Sequence, residues 1–371
     1  MTVPARLSSS LAGRPRLAAV RRRLLAALDA QPNAQVAAAA AQAQARIDEL
    51  EARWAGLPAS RPLTPPYHPP APATGRLFAR LGTDEDALAA RLTAVLGDSV
   101  ADLLAAGPPV ERPAALLHLA VHCEFADVLE ATGLSNAEPP EEVHHMARGP
   151  LAAGGALRLA DVVAECLQDS GADVEAGRGL DFGCSSGRVV RALHAAYPDA
   201  AWAGCDPNGP AIAWAADALP GIGFFESPTD PPLPVPDGAY DHAFAISIWS
   251  HYDAGPALAW LEEMRRVLAP GGRLLLTTHG LSSVAVYAAH GLRPAAQLSE
   301  IVQALYTDGF WFAPEFGEEG DWGVAHPGWG TAFFTPEWLL ARVRGAWHLD
   351  VFVPAGLAFN QDIYVLRSTT A

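Results

Sequence analysis

From about residue 155 onward, short apolar runs alternate with stretches of helical composition, and this alternation narrows the chain to a parallel sheet flanked by helices. GRGLDFG reads as a strand, SGRVVRALHAAY as a helix and AAWAGCD as a strand. AIAWAADAL reads as a helix, GIGFFE and YDHAFAISIW as strands, PALAWLEEMRRVL as a helix and GGRLLLTTHG as a strand. AWHLDVFVP and QDIYVLRS read as a closing pair, with an antiparallel hairpin at the sheet edge as one arrangement. The expected fold is α/β: a doubly wound, mostly parallel, seven-stranded sheet with ligands at the strand carboxyl ends.

The first 150 residues have a different texture and predict an all-helical N-terminal region. Residues 1–56 read as a helical arm, split by Pro32, with no sustained heptad; an arm on the body is favoured over a coiled-coil dimer, and a homodimer stays open. Residues 57–74 are a proline-rich linker, and 75–150 a helical cap region. In TDEDALAARL, Thr83 is the expected N-cap, and PAALLHLAVHCEFADVLEATG has one helical period ending at Gly133. Residues 151–371 form the α/β domain, with an insertion at about 281–346.

Composition removes several functions. A net charge of -16 disfavours nucleic acid, which requires a cationic face. All 25 basic residues are Arg, so chemistry that needs lysine is excluded. The four cysteines form no CxxC pair, which argues against zinc or a redox couple and for a reducing cytoplasm. No Asp-x-Asp pair suggests a metal, and no apolar run predicts a membrane span.

The segment LDFGCSSGRVVRAL carries the most chemistry. A strand ends at Asp181, a loop with Gly183 and Gly187 opens a helix, and the next strand ends at Asp206, nineteen residues past Gly187. Small loop residues let backbone approach a ligand, a helix start offers free N–H groups, and an acid placed there accepts both hydroxyls of a ribose. Three readings compete. A dinucleotide site wants G-x-G-x-x-G, which this loop fails. A hydrolase elbow wants G-x-S-x-G, which Gly183 to Gly187 matches, but an elbow follows several earlier strands. The third is an S-adenosylmethionine site.

Residues of about 155–280 resemble the class I S-adenosylmethionine-dependent methyltransferases. The resemblance rests on Asp181, Gly183, Ser185 and Gly187 in the first motif, on YDHAFAISIWSHYD, and on MRRVLAPGGRLLLTT. It implies a cofactor site made of Asp181, Gly183, Cys184, Ser185 and Gly187, with Asp206 on the ribose and Pro207 and Asn208 at the adenine edge. Ser247 and Ile248, from the fourth motif, complete that set. Glu226, Ser227 and Asp230 are alternatives beside the adenine amine.

The expected activity is O-methylation of a small-molecule or sugar hydroxyl. N-methylation, a serine hydrolase and a non-catalytic binding protein of the same fold are the alternatives. A hydroxyl acceptor needs a base, and His251, His279 and His326 are the candidates, with His144 and His145 weaker. The insertion is rich in aromatics, among them Phe316, Trp322 and Trp329, beside acidic Glu315, Glu318, Glu319 and Asp321. That mixture suits a polyhydroxy acceptor, or equally a hydrophobic lid. Gln361 and Asp362 either face the cleft or terminate the closing hairpin.

Overall fold

The structure is a computed structural model. It describes residues 72–97, 99–106, 111–141, 143, 152–315, 326–357 and 360–369. The expected arm 1–56, most of the linker, His144, His145, Phe316, Glu318, Glu319, Asp321 and Trp322 lie outside these residues.

Five helices open the described chain: α1 (Pro72–Leu81), α2 (Glu85–Leu96), α3 (Ser99–Ala106), α4 (Arg112–His122) and α5 (Ala126–Thr132). Helix α1 takes up the last three residues assigned to the linker, with Pro72 at its first position, where a missing N–H costs nothing. The cap of α2 is Asp84, not Thr83: its carboxylate accepts from Ala87 N at 2.7 Å. The expected single helix over 113–133 is two. It breaks at Cys123–Phe125, where Glu124 takes φ 55°, and Gly133 closes the second piece in the left-handed conformation.

Next come α6 (Leu157–Asp169), β1 (Arg178–Phe182), α7 (Val190–Ala196), β2 (Ala201–Asp206), α8 (Gly209–Ala218), β3 (Gly223–Glu226), β4 (Tyr240–Ala245), α9 (Ala254–Val267) and β5 (Leu268–Thr278). The insertion contributes α10 (Leu281–His290), α11 (Ala295–Thr307), β6 (Phe310–Ala313), β7 (Thr331–Phe334) and α12 (Pro336–Arg342). Strands β8 (Trp347–Leu357) and β9 (Gln361–Ser368) close the chain.

The main sheet has seven strands in the order β3-β2-β1-β4-β5-β9-β8. The first five pair in parallel, and β9 is antiparallel to both β5 and β8, so the last two strands are the edge hairpin. Strand order reverses between β1 and β4, the switch point at which such sheets open a crevice. Strands β6 and β7 form a separate antiparallel pair.

One hydrophobic core covers one face of the sheet. It runs from Ala73, Leu77 and Leu117 through Val163 and Leu193 to Leu275 and Val365, so the N-terminal helices and the sheet share it. Polar contacts fix the same junction. Buried Asp161 on α6 accepts from Thr74 N at 2.8 Å and from Thr74 Oγ1 at 2.7 Å. Arg80 on α1 donates to the carbonyls of Ala195 and Ala196, satisfying the C-terminal end of α7. Arg191 on α7 donates to Ala137 O. The helical region thus braces the helix that follows the glycine loop.

Inside β4, His242 is fully buried, neither ring nitrogen has a hydrogen-bond partner among the described residues, and its ring sits edge-on to Trp202 at 5.3 Å. Burial pulls its pKa down from 6.5 to about 4. The unfolded chain therefore binds the proton first. His242 contributes stability that is fully present above pH 6.5 and is lost as pH falls through 4. A His242→Phe variant is expected to lose less stability than the parent between pH 7 and pH 4, by about 3 kcal/mol. Urea titrations at the two pH values measure the difference; equal losses would show that His242 is not held neutral.

Candidate active site

The glycine loop is tied to β2 before any ligand is considered. Gly183 N and Cys184 N both donate to Cys205 O, at 2.8 and 3.0 Å. Asp206, at the carboxyl end of β2, accepts from Ser185 N through Oδ2 and from Asn208 N through Oδ1, each at 2.8 Å. Both carboxylate oxygens are thereby aimed across the mouth of the loop. Burial raises the Asp206 pKa, and the two backbone N–H groups pull it back.

The loop conformation needs its small residues. Gly183 has φ 81°, and a Cβ there would run into the Ile248 side chain from the loop after β4. Gly187 has φ 74°. Ser185, at φ 49°, occupies the left-handed region without being glycine, a local strain of the kind concentrated at binding sites. Helix α7 begins only at Val190, so its start is further from the glycines than the sequence suggests. The Cys184 thiol is turned inward, since a Cβ on Gly204 would lie 2.8 Å from its sulfur. Burial pushes that thiol up.

Asp181 is buried beneath the loop, and its Oδ2 has no partner among the described residues. Its pKa is raised by burial, opposed by the Val190 N–H and the Arg188 guanidinium. Asn208 caps α8, accepting from Ala211 N at 3.2 Å, and half-buried Pro207 separates it from Asp206. Ser227 is buried and its N–H donates to Asp206 O at 3.1 Å. Glu226 ends β3 with its carboxylate over Gly209.

On the other side of the crevice, the strand read as YDHAFAISIW ends at Ala245. The chain then turns through Ser247, at φ 61°. Beyond it, the end of the insertion threads back between the β4 loop and the end of β5. Gly330 N donates to His251 O, Ala332 N to Ser250 O, and Phe334 N to His279 O. Alternate carbonyls of this one segment hold both histidines. His251 Nδ1 donates to Gly330 O at 2.7 Å, and His279 Nδ1 donates to Ala332 O at 3.2 Å. A neutral imidazole protonated on Nδ1 carries its basic lone pair on Nε2.

The two histidines differ from there. His279 is buried, and its Nε2 accepts from the Tyr287 hydroxyl at 3.1 Å. Burial, with His251 and Arg293 nearby, pulls its pKa down to about 3. His251 is half-buried and stacks on Trp329 at 4.8 Å. His326 makes different contacts: its Nδ1 accepts from Gly328 N at 3.0 Å, and its Nε2 is 3.4 Å from Asp230. It joins the end of the insertion to the loop after β3.

Most of the insertion's described aromatics are packing. Trp311, Phe333, Phe334 and Trp338 are buried, with Trp338 stacked on Phe310. Glu315 is held by Arg293 and by Thr331 Oγ1, which holds its pKa low. Beside His251, Ser250 Oγ and Trp329 Nε1 are buried and have no partner among the described residues. Gln361 and Asp362 are both buried. Gln361 bonds Ser247 and Thr277, and Asp362 accepts from Ser282 Oγ and Ala355 N, so neither merely ends the hairpin. Thr277 and Tyr287 were not singled out by the sequence. Among the described residues, no His/Cys/Asp/Glu cluster could hold a metal, and no helix is long and apolar enough to cross a membrane. An open groove lined by Asp237, Glu262, Arg265 and Arg266 lies at the opposite, amino ends of β4 and β5.

Residues 180–272 match a family model described as a methyltransferase domain. Among solved structures, a SAM-dependent methyltransferase from Methanosarcina mazei is 20% identical, with a TM-score of 0.38, over 53% of this chain and 94% of that one. One from Aquifex aeolicus is 15% identical, TM-score 0.37, over 63% and 100%. One from Mesorhizobium loti is 16% identical, TM-score 0.37, over 56% and 97%. The matched segment and the strand order make residues 180–272 similar to a methyltransferase domain, whose methyl donor would be S-adenosylmethionine. The residues fit that group: a glycine cradle, a buried carboxylate oxygen on Asp181 with no partner among the described residues, and Asp206 at the end of β2.

Proposed function

We propose that this methyltransferase domain transfers the methyl group of S-adenosylmethionine to a hydroxyl of a small molecule, a sugar unit among the candidates, with His251 as the general base. The observation that carries the reading is His251 Nδ1 pinned to Gly330 O, which leaves the basic lone pair on Nε2. The ring sits three residues past Ile248, whose side chain packs on the glycine loop.

The cofactor supplies an electrophilic methyl group on a sulfonium. Gly183, Ser185 and Gly187 would seat its methionine part, Asp206 its ribose, and Pro207 and Asn208 the edge of its adenine. Transfer is an in-line displacement, so the protein's work is alignment and proton removal. His251 would take the acceptor's proton at Nε2, and the Gly330 carbonyl would stabilise the resulting imidazolium through Nδ1. His279, with a pKa near 3 and its Nε2 occupied by Tyr287, is a poor base at neutral pH. Ser250 Oγ and Trp329 Nε1, buried beside His251, would gain partners from a hydroxylated acceptor. His326 is reserved for positioning the loop after β3.

The G-x-S-x-G spacing supports a hydrolase poorly, because the loop follows the first strand of the described sheet, whereas an elbow follows several. The test is methyl transfer from labelled cofactor to a panel of hydroxylated metabolites and sugars, run beside an amine panel. Transfer to hydroxyls alone supports the reading. Transfer to an amine at a rate unchanged in His251→Ala would replace it with N-methylation.

A further inference from the structure

We propose that Thr277 and Gln361 are positioning residues for the cofactor, acting through Ser247 to hold the loop after β4 in a strained form against the glycine loop. This rests on the reading that Ser247 and Ile248 line the cofactor site.

Three residues from three strand ends close a ring. Ser247 N donates to Thr277 Oγ1 at 2.8 Å, Thr277 Oγ1 donates to Gln361 Oε1 at 2.6 Å, and Gln361 Nε2 donates to Ser247 Oγ at 3.0 Å. Thr277 has no exposed surface and Gln361 is buried. Neighbouring β4, β5 and β9 bring them together. At the centre of the ring, Ser247 sits at φ 61°, a conformation that costs a non-glycine residue energy and persists only when its surroundings impose it. What the ring imposes is visible on the next residue. Ile248 is delivered onto Gly183, at a distance that leaves no room for a Cβ. Three residues past Ile248, His251 reaches the Gly330 carbonyl. A relaxed Ser247 would swing Ile248 off the cradle and open the wall of the site while leaving the sheet paired.

The experiment uses the full chain and titrates S-adenosylhomocysteine calorimetrically, with circular dichroism and thermal midpoints of the free proteins alongside. Thr277→Val keeps the shape and removes both ring hydrogen bonds; Gln361→Ala removes the far side. Each is expected to weaken binding at least tenfold. Thr277→Ser restores the hydroxyl and is expected within threefold of the parent. Glycine adopts φ 61° without cost, so adding Ser247→Gly to Thr277→Val should regain at least threefold in affinity. A role in packing alone would not give that recovery. If Thr277→Val does not fold, Gln361→Ala and its pairing with Ser247→Gly decide the matter. Binding within threefold of the parent in Thr277→Val and Gln361→Ala overturns the proposal, as does a loss that Ser247→Gly fails to repair. If the parent itself does not bind, the cofactor reading falls first and the proposal with it.

Discussion

Asp206→Ala is expected to lose at least 100-fold in affinity for S-adenosylmethionine and its demethylated product. The carboxylate has two tasks. On the proposed reading it would offer both oxygens to a ribose, and hydrogen bonds to a charged group contribute about 1.5–3 kcal/mol each. Two of them exceed the roughly 2.7 kcal/mol that a 100-fold change represents. It also gathers Ser185 N and Asn208 N at 2.8 Å each, and alanine leaves both without their acceptor. The thermal midpoint of the free protein should therefore fall as well. Asp206→Asn should rescue poorly. An amide presents one oxygen and one NH2, so one of the two backbone N–H groups would face a donor. Calorimetry on the parent and both variants checks this; an Asn variant binding as well as the parent would mean that Asp206 does not act as a two-oxygen acceptor.

The second large effect is kinetic. With a hydroxyl acceptor identified, His251→Ala is expected to lower kcat by about 10²–10⁴, the usual range for a positioned general base. Cofactor affinity should stay within threefold, because the ring bonds the Gly330 carbonyl and stacks on Trp329, both in the insertion. His251→Gln can keep a hydrogen bond to Gly330 O yet has no basic lone pair, so it should be nearly as slow. His279→Gln is expected to be milder, since His279 is neutral and committed to Ala332 and Tyr287. Single-turnover rates separate the cases. A kcat unchanged by His251→Ala would remove the base assignment and favour an acceptor that needs none.

The sheet was readable because most of its strands carry a short apolar run near Gly, Pro or Asp, and the helices between the parallel ones supply the crossovers. The placement of the glycine loop and Asp206 was readable for a related reason: it depends on local spacing along one β-α-β unit. Other features depend on what the sheet brings together. Thr277 and Gln361 stand 84 residues apart, and only the order β4-β5-β9 places them beside Ser247. His251 and His279 look equivalent in sequence, each just beyond a strand. Burial and Tyr287 set His279 apart, and both come from the insertion and its packing. The smaller misreadings have local causes. Thr83 and Asp84 are adjacent residues that can both cap, and the break at Glu124 has neither Gly nor Pro to announce it. The aromatics of the insertion suggested an acceptor surface, and most of those described form its core instead.

The most direct test of the central claim is calorimetric titration of the purified chain with S-adenosylmethionine and S-adenosylhomocysteine, with Asp206→Ala as control. Saturable one-to-one binding of both ligands by the parent, lost in the control, is the predicted result. No binding by a folded parent would contradict the account, and equal binding by parent and control would contradict the site.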